Sequence, residues 1–188
     1  MPWKRINKKD IKFDPEVQTY CVSEQFNCPN YNHSWACPPE APYLEEEILQ
    51  NYRKFYLVYS KMQLNQKITT EQRSGNKSSR NRSKNLSSLQ KYNLIRNKIE
   101  QEIEKFLNDP PEDFEEVRVL WDGHCRICEE QGKKCTYDEG IACRYPEKIR
   151  YSMEAVGIHV TKTVKKVDID IEWPPRNHIY RFALICLK

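Results

Sequence analysis

The chain has 188 residues, a net charge of +4 and a charged fraction of 31%. This length fits one domain with a core of ordinary size. So small a net charge does not by itself indicate a nucleic-acid partner, because such binding needs positive charge clustered on one face. The first residues, MPWKRINKKDIKF, lack the apolar segment of an export signal, and the longest apolar run, Phe182 to Leu187, is too short to cross a bilayer. We therefore expect a cytoplasmic protein without a membrane partner.

The N-terminal half alternates loops with short regular elements. Residues 14–42 contain five prolines and three cysteines, which predicts an N-terminal cysteine loop. Apolar residues spaced every three to four positions from Leu44 to Tyr52 predict a short helix, and FYLVYSKM after it predicts a strand. Residues 65–88 are polar, basic and low in complexity. Because they offer little apolar area to bury, we predict a flexible loop there.

The strongest helical pattern follows this loop. Apolar residues recur every three to four positions from Tyr92 to Phe106, with Ser88 as a candidate cap and Pro110-Pro111 as a stop. Alternating residues from Val117 to Trp121 then predict a strand. This strand leads directly into a C-terminal cysteine loop at residues 122–149.

The last part of the chain contains a short helix and a predicted hairpin. Ser152 is a candidate cap for the helix in MEAV, and Gly157 is a candidate end. Alternation from Val167 to Trp173, the turn WPPRN and the apolar segment HIYRFALICLK predict two paired strands. The whole pattern indicates an α+β fold, with one metal-binding domain over residues 1–188. We expect a small, mostly antiparallel sheet, a few helices and cysteine-rich loops at their ends.

The C-terminal loop holds four cysteines: Cys125, Cys128, Cys135 and Cys143. Cys125 and Cys128 form a C-x2-C pair, a spacing at which two thiolates bind one metal centre. The later gaps are wider, and the second close pair of a structural zinc ribbon does not follow. Four sulfurs at these gaps favour a larger body such as a [4Fe-4S] cluster, although the spacing differs from that of ferredoxins.

The N-terminal loop holds three more cysteines, Cys21, Cys28 and Cys37, and Pro38-Pro39 follows the last of them. A proline directly after a cluster cysteine also occurs in the bacterial ferredoxin motif. Three thiolates leave one position of a four-iron cluster or of zinc to His33, another cysteine, a small molecule or water. An open position is typical of a centre that binds or converts something. The alternative is three buried thiols without a metal.

Eight cysteines in a reducing compartment indicate metal ligands or redox groups, whereas their even number keeps a disulfide framework as an alternative. Cys186 lies inside the apolar segment ALICL and is predicted to be a small core residue. His124 adjoins Cys125, so it is either a ligand, a donor to a ligand or a solvated loop residue. Arg144 and Arg150 are candidate cofactor-binding residues, since each could hold an anion or donate to a cluster sulfur.

Two blocks of this sequence, CPP and the later CRYP…RYSMEAVGI, resemble a prokaryotic family of predicted metal-binding proteins, domain of unknown function 2284. The matching positions are Cys37, Pro38, Pro39, Cys143, Arg144, Pro146, Arg150, Ser152, Met153, Glu154, Ala155 and Gly157. The chain differs from the family pattern at His159, where aspartate is usual, and in the basic segment at residues 65–88. The resemblance implies a cysteine-bound metal and a cytoplasmic prokaryotic setting, and it implies no reaction.

The leading hypothesis from the sequence is an iron–sulfur protein with one or two [4Fe-4S] clusters, which transfers electrons to a partner protein or supports its redox chemistry. One alternative is a zinc-stabilised interaction module. A further alternative is an enzyme with an open-site iron–sulfur cluster. No residue pattern indicates a general acid or base, so the sequence names no substrate.

Overall fold

A computed structural model describes residues 2–23, 26–64, 87–172 and 175–188. The predicted flexible loop at 65–88 lies outside these ranges except for its last two residues, so it stays a prediction. The described strands are β1 (Trp3–Ile6), β2 (Val22–Ser23), β3 (Phe26–Asn27), β4 (Lys54–Gln63), β5 (Val117–Leu120) and β6 (His178–Leu187). The described α-helices are α1 (Glu45–Asn51), α2 (Ser88–Asn108) and α3 (Val160–Lys166).

Four strands form one antiparallel sheet in the order β1-β4-β6-β5. The two central strands, β4 and β6, pair over ten residues, from Lys54 opposite Leu187 to Gln63 opposite His178. Both are rich in the aromatic and β-branched residues that fit a pleated surface. β5 lies at one edge of the sheet, and β2 and β3 form a separate two-stranded hairpin. Helices together with this antiparallel sheet confirm the predicted α+β class.

The sheet buries both of its faces. One face packs against α2 through Tyr56, Val58, Ala183, Ile185, Ile99, Ile103 and Phe106. The other face packs against α1, α3 and the intervening turns through Phe55, Leu57, Leu184, Cys186, Ile48, Met153, Val156 and Val164. Each large apolar side chain that is fully buried stabilises the fold by roughly 1.5–3 kcal/mol. Cys186 is fully buried on the second of these faces, so it is a core residue, as predicted.

Helix α2 begins one residue earlier than the sequence pattern indicated. The cap is Ser87, not Ser88: its hydroxyl accepts from the Gln90 backbone N–H at 3.2 Å. The Gln90 side chain in turn accepts from the Ser87 N–H at 2.9 Å. This reciprocal pair satisfies two otherwise free donors of the first turn. The helix ends at Asn108, just before Pro110-Pro111 as expected.

The predicted C-terminal hairpin is wrong. β6 forms and pairs with β4 along its whole length and with β5 at Leu184–Leu187, but residues 167–172 are not paired with it. Those residues follow α3 as irregular chain, and Ile169 and Ile171 pack against the core without strand pairing. Trp173 lies outside the described residues. Alternation of apolar residues identified burial here, but it did not identify the pairing partner.

The turn before α3 agrees with the sequence prediction. Residues Glu154–Val156 form one 3₁₀ turn, and the Ser152 hydroxyl accepts from the Ala155 N–H at 3.1 Å. Gly157 ends the turn with a φ of 92°.

β1 and α3 were not predicted. No helix in the described part of the chain is long and apolar enough to cross a membrane.

Candidate metal centre

The C-x2-C turn follows directly from the sheet and is fixed to α2. The guanidinium of Arg96 donates to the His124 carbonyl at 2.7 Å, immediately before Cys125. Arg126, between the two cysteines of the pair, contacts the Glu100 carboxylate one helical turn further along α2. Arg96 is only 3% exposed, and charge-assisted hydrogen bonds of this kind are stronger than neutral ones. Helix α2 therefore positions the first two sulfurs.

Short turns carry the chain from Cys128 to Cys135 and Cys143. One 3₁₀ turn ends at Gly132 with a φ of 68°, and another ends at Gly140 with a φ of 66°. Glycine adopts this left-handed conformation without the steric cost of a Cβ. Between the turns the Thr136 hydroxyl, which is buried, donates to the Ala142 carbonyl at 3.1 Å. The loop is thus compact despite its low content of apolar residues.

All four cysteines of this loop line one cavity of about 40 Å³. The same cavity is lined by Trp35 and its neighbours in the N-terminal loop, and by Ile127 and Ile149. Burial raises the pKa of the Cys143 thiol, and nearby Cys125, Cys128 and Cys135 raise it further. The structure therefore brings together the four cysteines that the sequence assigned to one group.

Two of the three N-terminal cysteines, Cys21 and Cys28, lie next to each other. Cys21 and Cys28 face each other across the β2–β3 hairpin, where the Cys28 N–H donates to the Cys21 carbonyl at 2.8 Å. Burial raises the pKa of Cys21 to about 11, and the neighbouring Cys28 thiol adds to the shift. Burial likewise raises the pKa of Cys37 to about 12, with smaller effects of Cys28 and Cys21. The thiols are desolvated, so binding a cation there would release protons.

The two cysteine loops pack against each other. Trp35 donates from Nε1 to the Ile141 carbonyl at 3.1 Å and to the Thr136 hydroxyl at 3.3 Å. The ring of Trp35 also meets the Tyr137 ring edge-on, with centroids 4.9 Å apart. Residues 34–36, which directly precede Cys37, line the four-cysteine cavity. Segments about 100 residues apart thus form one cysteine-rich region, and the two groups adjoin each other.

The two histidines that the sequence associated with the cysteines have other partners. His33 contacts the Asp138 carboxylate through Nδ1 at 2.8 Å. His124 lies between Arg96 and Glu129, with its Nε2 3.3 Å from the glutamate carboxylate. Burial lowers the pKa of His124, and Arg96 lowers it further. Both rings help to connect loops in this structure.

The two candidate arginines lie in different places. Arg144 directs Nη1 towards the sulfur of Cys128 at 3.9 Å and donates from the same atom to the Lys134 carbonyl at 2.6 Å. Arg150 lies outside the four-cysteine cavity. Its guanidinium stacks on the Trp121 ring at 4.3 Å and pairs with Glu130 at 2.6 Å. Only Arg144 is therefore placed next to a candidate ligand sulfur.

All eight cysteines are free thiols, and they all lie in the described ranges. In those ranges no group of three or more His, Cys, Asp or Glu side chains is arranged to hold a metal ion. The donor chemistry nevertheless fits a metal group, because four thiols line one cavity, and residues 34–36 of the N-terminal cysteine loop line it too.

Sequence reasoning missed the residues that position the C-x2-C turn. Arg96 and Glu100 are polar residues that adjoin the apolar stripe of α2, next to Ile95 and Ile99 in the chain. An arginine at such a position is a signal of a buried partner, because an unpaired buried charge is costly. Arg126 gave no comparable signal, since any loop residue between two cysteines can be basic.

The fold and the cysteine region together define a class: an α+β protein with two cysteine-rich loops joined into a candidate metal centre. The family described as predicted metal-binding protein (DUF2284) matches residues 4–187. The chain therefore belongs to this family, which confirms the resemblance carried by the two sequence blocks. Comparison with curated proteins and with solved structures finds no match.

Proposed function

We propose that this protein holds a [4Fe-4S] cluster on Cys125, Cys128, Cys135 and Cys143, and that it exchanges electrons with a partner protein. The observation that carries the proposal is that the four thiols line a single cavity. Its volume of about 40 Å³ has room for roughly three water molecules. A lone tetrahedral zinc ion with four thiolates would need less room, because its Zn–S bonds are only about 2.3 Å long.

The three N-terminal cysteines would contribute to a second group. Cys21, Cys28 and Cys37 supply three thiols, and the structure directs His33 to Asp138 instead. A fourth position is then left for a small molecule, water or a partner residue. The packing of residues 34–36, just before Cys37, against the four-cysteine cavity supports electron exchange between the two groups.

The surrounding residues have definable roles towards the first group. When bound, an iron–sulfur cluster supplies one-electron transfer. Arg144 donates towards the Cys128 sulfur, and a donor to sulfur stabilises added negative charge and so raises the potential. Trp35, Ile127 and Ile149 limit the access of water to the cavity. We propose a cytoplasmic, prokaryotic setting, in which thiols stay reduced.

Metal analysis of matched alanine variants tests the first site. We expect anaerobically purified protein to be brown and to contain iron and acid-labile sulfide. Cys128→Ala should lose most of the iron bound by the C-terminal group, whereas Cys186→Ala should keep it, because Cys186 lies in the core outside both groups. A colourless wild-type protein with one or two zinc ions would overturn the iron–sulfur proposal and favour a zinc-stabilised interaction module.

A second variant tests whether there are two sites. Cys37→Ser should remove part of the metal and leave the rest on the C-terminal group. Loss of all the metal in this variant, with the fold intact by circular dichroism, would show instead that the seven cysteines share one site.

A further inference from the structure

Three arginines, Arg96, Arg126 and Arg181, carry shielded positive charge beside the C-x2-C turn. Arg96 comes from α2, Arg181 from β6 and Arg126 from the turn itself. Their side chains are 4%, 22% and 24% exposed, respectively. Because salt screens partly buried charges much less than exposed ones, these three charges act on neighbouring groups.

Two carboxylates connect the three arginines. Glu100 contacts Arg126 and lies 3.8 Å from Nε of Arg96. The carboxylate of Asp122 lies 3.5 Å from Nη1 of Arg181, and the Asp122 carbonyl accepts from Nη2 of Arg96 at 3.5 Å. Three guanidinium groups therefore share two carboxylates, and the set has an excess of positive charge.

The hydrogen bonding of this set is incomplete. The Nε atoms of all three arginines and Oδ2 of Asp122 are buried and have no hydrogen-bond partner among the described residues. Buried charges are costly when they are not fully paired, unless another opposite charge lies nearby. The excess positive charge thus favours a further negative group next to the set.

The adjoining negative group is the candidate metal centre. Nη2 of Arg96 donates at 2.7 Å to the carbonyl of His124, the residue directly before Cys125. Arg126 directly follows Cys125, and Asp122, the partner of Arg181, comes three residues before it. A metal group held by four thiolates is anionic, since the thiolate is the ligand form of cysteine. The positive set therefore lies behind the turn that would hold this anion.

We propose that Arg96, Arg126 and Arg181 raise the reduction potential of an iron–sulfur cluster held by the C-terminal group of four cysteines. This inference rests on the proposed function, because only a redox-active metal group has a potential to raise. Reduction adds one electron, which the partner protein supplies, and no bond forms or breaks. Positive charge stabilises the added negative charge, so the three arginines favour the reduced state.

Titration of the anaerobically purified protein with dithionite, followed by electron paramagnetic resonance, measures the potential. The signal of the C-terminal group is the one that Cys128→Ala removes. Arg126→Gln should lower its midpoint potential by about 59 mV, a tenfold smaller equilibrium constant for one-electron reduction. Arg181→Gln should shift it in the same direction. Glu100→Gln removes a negative charge from the same set and should raise the midpoint potential.

Two control variants separate charge from structure. Arg126→Lys keeps the charge, so it should keep the midpoint potential close to the wild-type value although it changes the contact with Glu100. Arg5→Gln removes a charge from β1, at the edge of the sheet opposite β5, and should leave the midpoint potential unchanged. Thermal unfolding of the same samples shows whether each variant keeps its fold.

The inference is overturned if Arg126→Gln and Glu100→Gln leave the midpoint potential unchanged or shift it in the same direction. It is also overturned if Arg126→Lys or Arg5→Gln lowers the potential as much as Arg126→Gln. Either result in a protein that contains iron and acid-labile sulfide refutes the role of the arginines and leaves the proposed function standing. A protein without iron and sulfide refutes the proposed function itself.

Discussion

At the scale of single residues, Gly157 has the most constrained position. Its φ of 92° lies in the region that side chains with a Cβ rarely adopt. A Cβ built on it would lie 2.3 Å from Cε2 of Tyr43. The backbone here is also a meeting point of segments: the Gly157 carbonyl accepts from the Asp14 N–H at 2.8 Å, and Ile158 pairs with Phe13. Any side chain at this position strains the backbone and displaces the tyrosine ring.

Replacing Gly157 by alanine should therefore destabilise the protein. We expect a loss of roughly 2–4 kcal/mol in the free energy of unfolding, from backbone strain of about 1–3 kcal/mol and from the collision with Tyr43. Chemical denaturation followed by circular dichroism measures it. Gly140→Ala is the control, since its φ is 66° but nothing lies within 4 Å of the added Cβ; its cost should be about 1–2 kcal/mol. Equal losses in the two variants would contradict the role of the Tyr43 contact.

At the scale of elements, α2 has two separable functions. Its apolar stripe, with Ile99 fully buried, packs against the sheet. Its polar positions Arg96 and Glu100 hold the C-x2-C turn through the His124 carbonyl and Arg126. The same helix thus contributes to the core and to the candidate metal centre, and these contributions can be tested separately.

Two substitutions on α2 distinguish these functions. Ile99→Ala should lower the free energy of unfolding by roughly 2–5 kcal/mol through the cavity it leaves, with little effect on metal retention. Arg96→Ala should cost about 3–5 kcal/mol, because it breaks a buried charged network, and should also speed metal release to a chelator severalfold. If both variants release metal at the same rate, α2 does not position the cysteines.

The link between the 109–116 segment and the sheet predicts a dependence on pH. The carboxylate of Glu112 accepts from Lys54 at 2.8 Å and from the Tyr56 hydroxyl. These hydrogen bonds hold the pKa of Glu112 below the ordinary glutamate value of 4.5. The stabilisation they give is fully present above pH 4.5 and is lost as pH falls through the lower pKa of the folded state.

Glu112→Gln should consequently remove part of the loss in stability that the wild type shows at low pH. We expect the wild type to be more stable than the variant near neutral pH, and the difference to narrow as pH is lowered from about 5 towards 3. Thermal unfolding in a series of buffers measures this difference. A gap that stays constant across the series would show that the hydrogen bonds of Glu112 do not contribute to stability through its charge.

At the scale of the whole molecule, the contact between the two cysteine loops is the central feature. Trp35 lines the four-cysteine cavity and donates to two oxygens of the C-terminal loop. The pair formed by His33 and Asp138 and the hydrogen bond from Tyr137 to Asn32 join the same segments. The N-terminal loop therefore forms part of the wall around cysteines that lie about 100 residues further along the chain.

Trp35→Phe should loosen this contact with little change to the sheet. The variant loses both Nε1 hydrogen bonds, each worth about 1 kcal/mol, and we expect faster metal release from the C-terminal group. Trp3→Phe is the matched control. Trp3 packs on Tyr56 and Phe106 and belongs to β1, which lies at the edge of the sheet opposite β5. If both variants release metal at the wild-type rate, the N-terminal loop does not protect the C-terminal group.

Local sequence patterns predicted α2, β4, β6 and the turn at Gly157, and they grouped four of the cysteines, whereas β1 and α3 were not predicted. The apolar period of α2, the aromatic and β-branched residues of β4 and β6, and the turn at Gly157 depend on neighbouring residues only. Cysteine spacing likewise identified four residues that share one cavity, since short loop segments limit how far apart their thiols can lie.

How distant segments of the chain meet could not be predicted from local patterns. The predicted hairpin failed because residues 167–172 follow α3 as irregular chain packed on the core, and which segments pair with β6 depends on the whole sheet. The anchoring of the C-x2-C turn by Arg96 and the packing of Trp35 on the C-terminal loop likewise join residues far apart in sequence. Such contacts arise from packing in three dimensions: the position of Arg96 on α2 indicates that it has a buried partner, but spacing along the chain does not identify that partner.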